Sequence, residues 1–121
     1  MRKILSLLLL LSSFAYGQDM RELYQEQFNQ LNDQYEIQYE QKKELLSVHY
    51  DQRENDLTVH FNQRINNSNS SSSTSKLIKE REGQLEVLEK ESIIAFKKLK
   101  IEFKRNLIEL EKDFQIKLLS Y

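Results

Sequence analysis

The two histidines are the first residues to consider for chemistry, because imidazole is a common general base and metal ligand near neutral pH. His49 and His60 are the only histidines among 121 residues. Eleven residues of α-helix would separate them by about 16 Å, too far for both to bind one metal ion. A metal site would need the same histidine from neighbouring chains. The simpler interpretation is that both flank an oligomer contact or respond to acid by gaining charge.

Composition argues against most other catalytic devices. The chain has no Cys, no Pro, no Trp and two Gly. Without cysteine there is no thiol nucleophile, disulfide or Cys-ligated zinc, and two glycines are too few for phosphate loops or sheet corners. The 18 Lys+Arg and 19 Asp+Glu leave no basic excess for nucleic acid. We therefore expect a non-enzymatic protein with no cofactor, metal, nucleic-acid partner or small-molecule substrate.

The residues after position 23 repeat with a period of eleven, which predicts one long helix over residues 18–66. Eleven residues in three turns place positions one, five and eight of each repeat on one stripe of the helix. The apolar residues of this stripe are Tyr24, Phe28, Leu31, Tyr35, Tyr39, Leu46, Tyr50, Leu57 and Phe61.

The second half keeps this apolar spacing, with intervals of three, four and four residues, and predicts a second helix over residues 76–121. Its stripe consists of Leu85, Leu88, Phe96, Leu99, Phe103, Leu107, Leu110, Phe114 and Leu118, with Ser92 among them. A Ser/Asn-rich loop is predicted over residues 67–75, since Ser and Asn disfavour helix interiors. A flexible linker between independent helices is the alternative.

If the chain folds back near Ser71, residues that face each other across the two helices have numbers that sum to about 142. In this register the two apolar stripes meet. This register pairs Tyr24 with Leu118, Phe28 with Phe114, Tyr35 with Leu107, Tyr39 with Phe103, Leu46 with Phe96, and Leu57 with Leu85. The first helix region, residues 18–67, has a net charge of −5, and residues 76–121 have a net charge of +2, which favours pairing. The predicted fold is all-α: two long antiparallel helices in a hairpin or coiled coil. The same stripes could also pair between chains.

A second apolar surface is predicted on the far side of both helices. It comprises Ile37, Val48 and Val59 on the first helix and Val87, Ile94, Ile101 and Ile116 on the second. In an isolated hairpin these side chains would face water, so the pattern favours self-association or a protein partner. Scattered surface apolar residues are the alternative interpretation.

One basic cluster stands out in the second helix. It consists of Lys97, Lys98, Lys100, Lys104 and Arg105, with Glu102 among them. Contact with anionic lipid or an acidic partner is one interpretation. The simpler one is a solvated face that complements the acidic first helix.

The first 17 residues have the pattern of a cleaved export signal. Arg2 and Lys3 precede an apolar run, and Ala15 and Gly17 occupy the small-residue positions before a cut that leaves Gln18 first. An uncleaved anchor is the alternative, but about 13 apolar residues fall short of the roughly 20 that span a bilayer. We therefore expect an exported protein, periplasmic or secreted.

An export signal followed by long paired helices resembles the architecture of small periplasmic chaperones with helical arms. That resemblance implies a holdase-like or scaffolding role in the cell envelope, although the small β body of such chaperones has no counterpart here. The eleven-residue period is also similar to that of apolipoprotein-like amphipathic helices, which implies the alternative of a protein on lipid surfaces. The first helix fits that alternative poorly because its stripe is narrow and its flanks are acidic.

Overall fold

Two α-helices account for nearly all of the described chain. The computed structural model describes residues 20–120, in which α1 spans Met20–Asn66 and α2 spans Ser71–Leu119. The helices pack against each other, and no strand occurs between residues 20 and 120. Their length follows from the absence of Pro and the abundance of good helix formers. The all-α fold with two packed helices is confirmed.

Some of the predicted segments lie outside the described residues. These are the export signal over residues 1–17, the first two residues of the predicted first helix, and Tyr121 at the end of the predicted second helix. Within the described part, neither helix has a stretch that is long and apolar enough to cross a membrane.

The chain divides into two compact units, each built from part of both helices. The terminal unit comprises residues 20–39 and 102–120 as far as they are described, and the turn unit comprises Glu40–Ile101.

Aromatic stacking joins the helices of the terminal unit. The rings of Phe28 and Phe114 lie 4.7 Å apart between centroids, at 29° to each other. Tyr39 and Phe103 stack more nearly parallel, 4.5 Å apart at 10°. Offset stacks of this kind add about 0.5–1.5 kcal/mol beyond the burial of their area. The antiparallel register in which facing residue numbers sum to about 142 predicts both pairs.

In the turn unit, burial and polar bridges together hold the helices. Phe61 is 1% exposed and Leu88 is 8% exposed. Arg53 of α1 forms a 2.8 Å ion pair with Glu91 of α2, and Arg81 Nη1 donates a 2.8 Å hydrogen bond to Asn62 Oδ1. Because the Arg53 and Glu91 side chains are about half exposed, this pair contributes little and the apolar seam carries most of the stability.

The connection between the helices is shorter than the sequence predicted. It covers only residues 67–70, and residues 71–75, predicted as loop, form the first turn of α2. Ser70 explains the difference, because its Oγ accepts a hydrogen bond from the Ser73 backbone N–H at 3.1 Å. This is N-cap geometry, which stabilises a helix start directly after a serine. The predicted start of the second helix at residue 76 is therefore wrong by five residues, whereas the predicted end of the first at Asn66 matches.

Candidate protein-binding surface

The seam between the helices uses the side chains that the apolar spacing selected. Phe61, Leu88 and Leu110 are buried, and the other fifteen residues predicted for the seam are half-buried. None of the eighteen is exposed. In the terminal unit, the Lys117 ammonium also lies 5.6 Å from the centre of the Tyr24 ring, in cation–π range.

Besides Ile116, six residues were predicted for the second apolar surface, and they point away from this seam. Each lies two positions from a seam side chain, and two residues turn a helix by about 200°. We call the three on α1 the α1 outer row and the three on α2 the α2 outer row. Their exposed fractions are 56% for Ile37, 57% for Val48, 46% for Val59, 67% for Val87, 54% for Ile94 and 55% for Ile101.

More apolar residues are exposed than the sequence analysis selected. Ile116 was placed on this side, and it is exposed, but four further residues were missed: Leu45, Ile93, Ile108 and Leu119. Ile108 had a usable signal, because it continues the seven-residue spacing of Val87, Ile94 and Ile101. Leu45, Ile93 and Leu119 belong neither to the eleven-residue stripe nor to this seven-residue spacing.

Two buried residues were also missed. Leu23 is fully buried and Gln27 is 8% exposed. Leu23 immediately precedes the first repeat, and a glutamine gives no apolar signal at all. Neither position could be identified from the spacing of the stripe.

The two histidines pack on aromatic neighbours of their own helix. His49 makes an edge-on contact with Tyr50 at 5.1 Å between ring centres, and His60 makes the same contact with Phe61 at 5.4 Å. Both histidines are exposed. Among residues 20–120, no group of three or more His, Cys, Asp or Glu side chains is placed to hold a metal ion.

The turn unit has an open groove with acidic walls, a feature the sequence analysis did not predict. Carboxylates from both helices and two leucines of α2 line it, and no Lys or Arg does. The lining residues are Tyr50, Asp51, Glu54, Glu82, Leu85, Glu86, Leu88, Glu89 and Ser92.

Positive charge concentrates further along α2. All five residues of the basic cluster are exposed. Lys97 and Lys98 lie in the turn unit three and four residues after Ile94, so they flank the α2 outer row on its own helix face. Exposed isoleucine and exposed lysine thus lie side by side on this face of α2.

Comparison with protein-family models, with curated proteins and with solved structures finds no match.

Proposed function

We propose that this chain is an exported, non-enzymatic coiled-coil protein that self-associates and acts as a scaffold or holdase-like protein-binding module in the cell envelope. The proposal includes a cleaved signal over residues 1–17, a periplasmic or secreted location and a seam organised by the eleven-residue period. The partner is a second copy of the chain or another protein.

The exposure of the outer rows carries this proposal. Six β-branched side chains, each about half exposed, lie on the sides of α1 and α2 that face away from the seam. Covering such a surface contributes about 25 cal/mol for each Å² of apolar area removed from water. A protein partner that supplies a complementary apolar row would cover it.

The residue inventory supports a non-enzymatic role. The chain has no cysteine, and its two histidines come from neighbouring repeats of one helix face. The acidic groove of the turn unit is open and lined by exposed carboxylates. Acid–base catalysis works best in a site that excludes water.

Suppression of aggregation tests the holdase role. A chemically denatured model protein is diluted into buffer with and without this chain, and turbidity is followed. We expect suppression by the wild type and its loss in the Val48→Asp, Ile94→Asp double variant, which places charge in both outer rows. Gln38→Asp with Gln115→Asp is the matched control, because it adds the same charge at exposed polar positions that are not three or four residues from an outer-row residue, and it should suppress normally. Equal suppression by both double variants would contradict a role for the outer rows.

Association with a lipid surface is the second candidate function. It is favoured by Ile94 and Ile101, which are exposed on the same helix as Lys97 and Lys98. Apolar residues beside lysines are typical of helices that bind anionic membranes. Flotation with anionic phospholipid vesicles separates the two functions. Stable flotation of the wild type that is lost in Ile94→Asp would favour lipid binding, and absence of flotation would favour protein association.

A further inference from the structure

Within the turn unit, the residues of the two outer rows face in opposite directions. Val48 and Val59 each follow an α1 seam residue by two positions, and Ile94 precedes the α2 seam residue Phe96 by two. Because each helix turns its seam towards the other helix, each outer row faces away from it. A second copy therefore meets either the α1 side or the α2 side of the turn unit, and it cannot cover both with one helix.

On its own helix, the α1 outer row of the turn unit has acidic neighbours and no basic ones, and Arg81 of α2 donates a hydrogen bond to Asn62 beside Val59. On a helix, the neighbours on the same face lie three and four positions away. Around Val48 and Val59 these neighbours comprise three acids, one leucine, four uncharged polar residues and no Lys or Arg. They are Glu44, Leu45, Asp51, Gln52, Asn55, Asp56, Asn62 and Gln63, all of them exposed.

The α2 outer row has the opposite balance. The neighbours of Ile94 at the same spacing are three lysines and one glutamate: Lys90, Glu91, Lys97 and Lys98. Two of these charges are already compensated, because Lys90 pairs with Glu86 at 3.2 Å and Glu91 pairs with Arg53 at 2.8 Å.

The remaining charges are available for a partner. Within residues 20–120, Lys97 and Lys98 form no ion pair, and neither do Glu44 and Asp51. The α2 side thus presents two uncompensated lysines beside exposed isoleucine. The α1 side presents uncompensated carboxylates beside exposed valine.

We propose that the α1 outer row of one copy docks on the α2 outer row of a second copy. This inference rests on the proposed self-association and specifies its geometry. Docking α1 on α1 would bring carboxylates together, and docking α2 on α2 would bring lysines together; like charges across an interface oppose association. Docking α1 on α2 joins apolar rows and opposite charges at once.

Such a contact is heterologous, since each copy contributes two different surfaces. After one contact forms, every copy still has one outer row uncovered, so further copies add until a ring closes or the chain of copies stops growing. The average mass should therefore rise continuously with concentration, with no plateau at a dimer.

Two complementary variants test this geometry. The first replaces Val48 and Val59 with Asp and blocks only the α1 row. The second replaces Ile94 and Ile101 with Asp and blocks only the α2 row, so that the two blocked rows repel each other in a mixture. Control versions carry Leu at the same four positions, which keeps the rows apolar, and circular dichroism establishes that all variants are helical.

In light scattering, each blocked variant alone should be a monomer, because one half of every contact is missing. An equimolar mixture should form a complex of two chains and no larger, through the intact α2 row of the first variant and the intact α1 row of the second. The Leu controls should associate as the wild type does.

Other outcomes would overturn the inference. A blocked variant that still dimerises alone would show docking between identical rows, and a mixture that stays monomeric would show that the two rows do not bind each other. In both cases the proposed function would still hold if the wild type self-associates. A wild type that is monomeric at every concentration would contradict the proposed self-association and this inference together.

Discussion

Ring stacking between Tyr39 and Phe103 is the most specific contact of the seam at the residue scale. The centroids lie 4.5 Å apart and the planes are within 10° of parallel. We expect Tyr39→Ala and Phe103→Ala to be coupled by about 1 kcal/mol in a double-mutant cycle, because either truncation alone already removes the stack. Urea unfolding followed by circular dichroism measures the four free energies of unfolding.

Ile37 provides the control for that cycle. It lies two residues from Tyr39, but its side chain is 56% exposed. Ile37→Ala combined with Phe103→Ala should be additive within about 0.5 kcal/mol, measured at a concentration where the chain is monomeric. Coupling of Ile37 as strong as that of Tyr39 would contradict the assignment of the seam.

Gly83 lowers the stability of α2 without an evident packing role. It is helical and exposed, and a Cβ built at this position has no atom within 4 Å. Gly83→Ala should therefore stabilise the chain by about 0.5–1 kcal/mol through the reduced freedom of the unfolded state. Thermal unfolding measures the change, and a lower midpoint would show that this glycine has a packing or conformational role.

At the scale of elements, the start of α2 depends on the capping serine. Ser70 Oγ accepts the Ser73 N–H at 3.1 Å, and its carbonyl oxygen accepts the Thr74 N–H at the same distance. Ser70→Ala should reduce stability by about 1 kcal/mol, because a backbone donor loses its partner. Thermal or urea unfolding measures this loss.

Ser72→Ala is the matched control. Ser72 is exposed in the first turn of α2 and alanine is the better helix former, so this change should be neutral or slightly stabilising. Equal losses for Ser70→Ala and Ser72→Ala would contradict the cap.

The seam could be predicted from the sequence, but the turn could not. Intervals of three, four and four residues determine which helix face is apolar, and this was sufficient to pair Phe28 with Phe114 and Tyr39 with Phe103. In contrast, residues 70–73 are four consecutive serines with the same capping chemistry. Composition therefore does not indicate which serine caps the helix, whereas the hydrogen bonds of Ser70 identify it as the cap.

The eleven-residue period also does not predict which residues outside the stripe are buried. Leu23 and Leu45 are separated by two full repeats and occupy the same repeat position. Leu23 is fully buried, whereas Leu45 is 71% exposed. The repeat position alone therefore does not determine burial outside the stripe.

At the scale of the whole molecule, export is the first testable property. We expect cells that express the full chain to cleave it between Gly17 and Gln18, because Ala15 and Gly17 fit the small-residue positions of a signal cleavage site. Intact-mass spectrometry of the exported protein should show the loss of 17 residues. Ala15→Lys should block cleavage, and unchanged processing of that variant would contradict the assigned site.

Self-association through the outer rows of α1 and α2 determines the solution mass of the protein. This mass is measured by light scattering on a sizing column at several concentrations, with protein purified from cells expressing the full chain. We predict a helical protein whose mass exceeds one chain and increases with concentration, and a lower mass for Val48→Asp with Ile94→Asp, which places like charges in the two rows. A helical monomer at every concentration would contradict self-association.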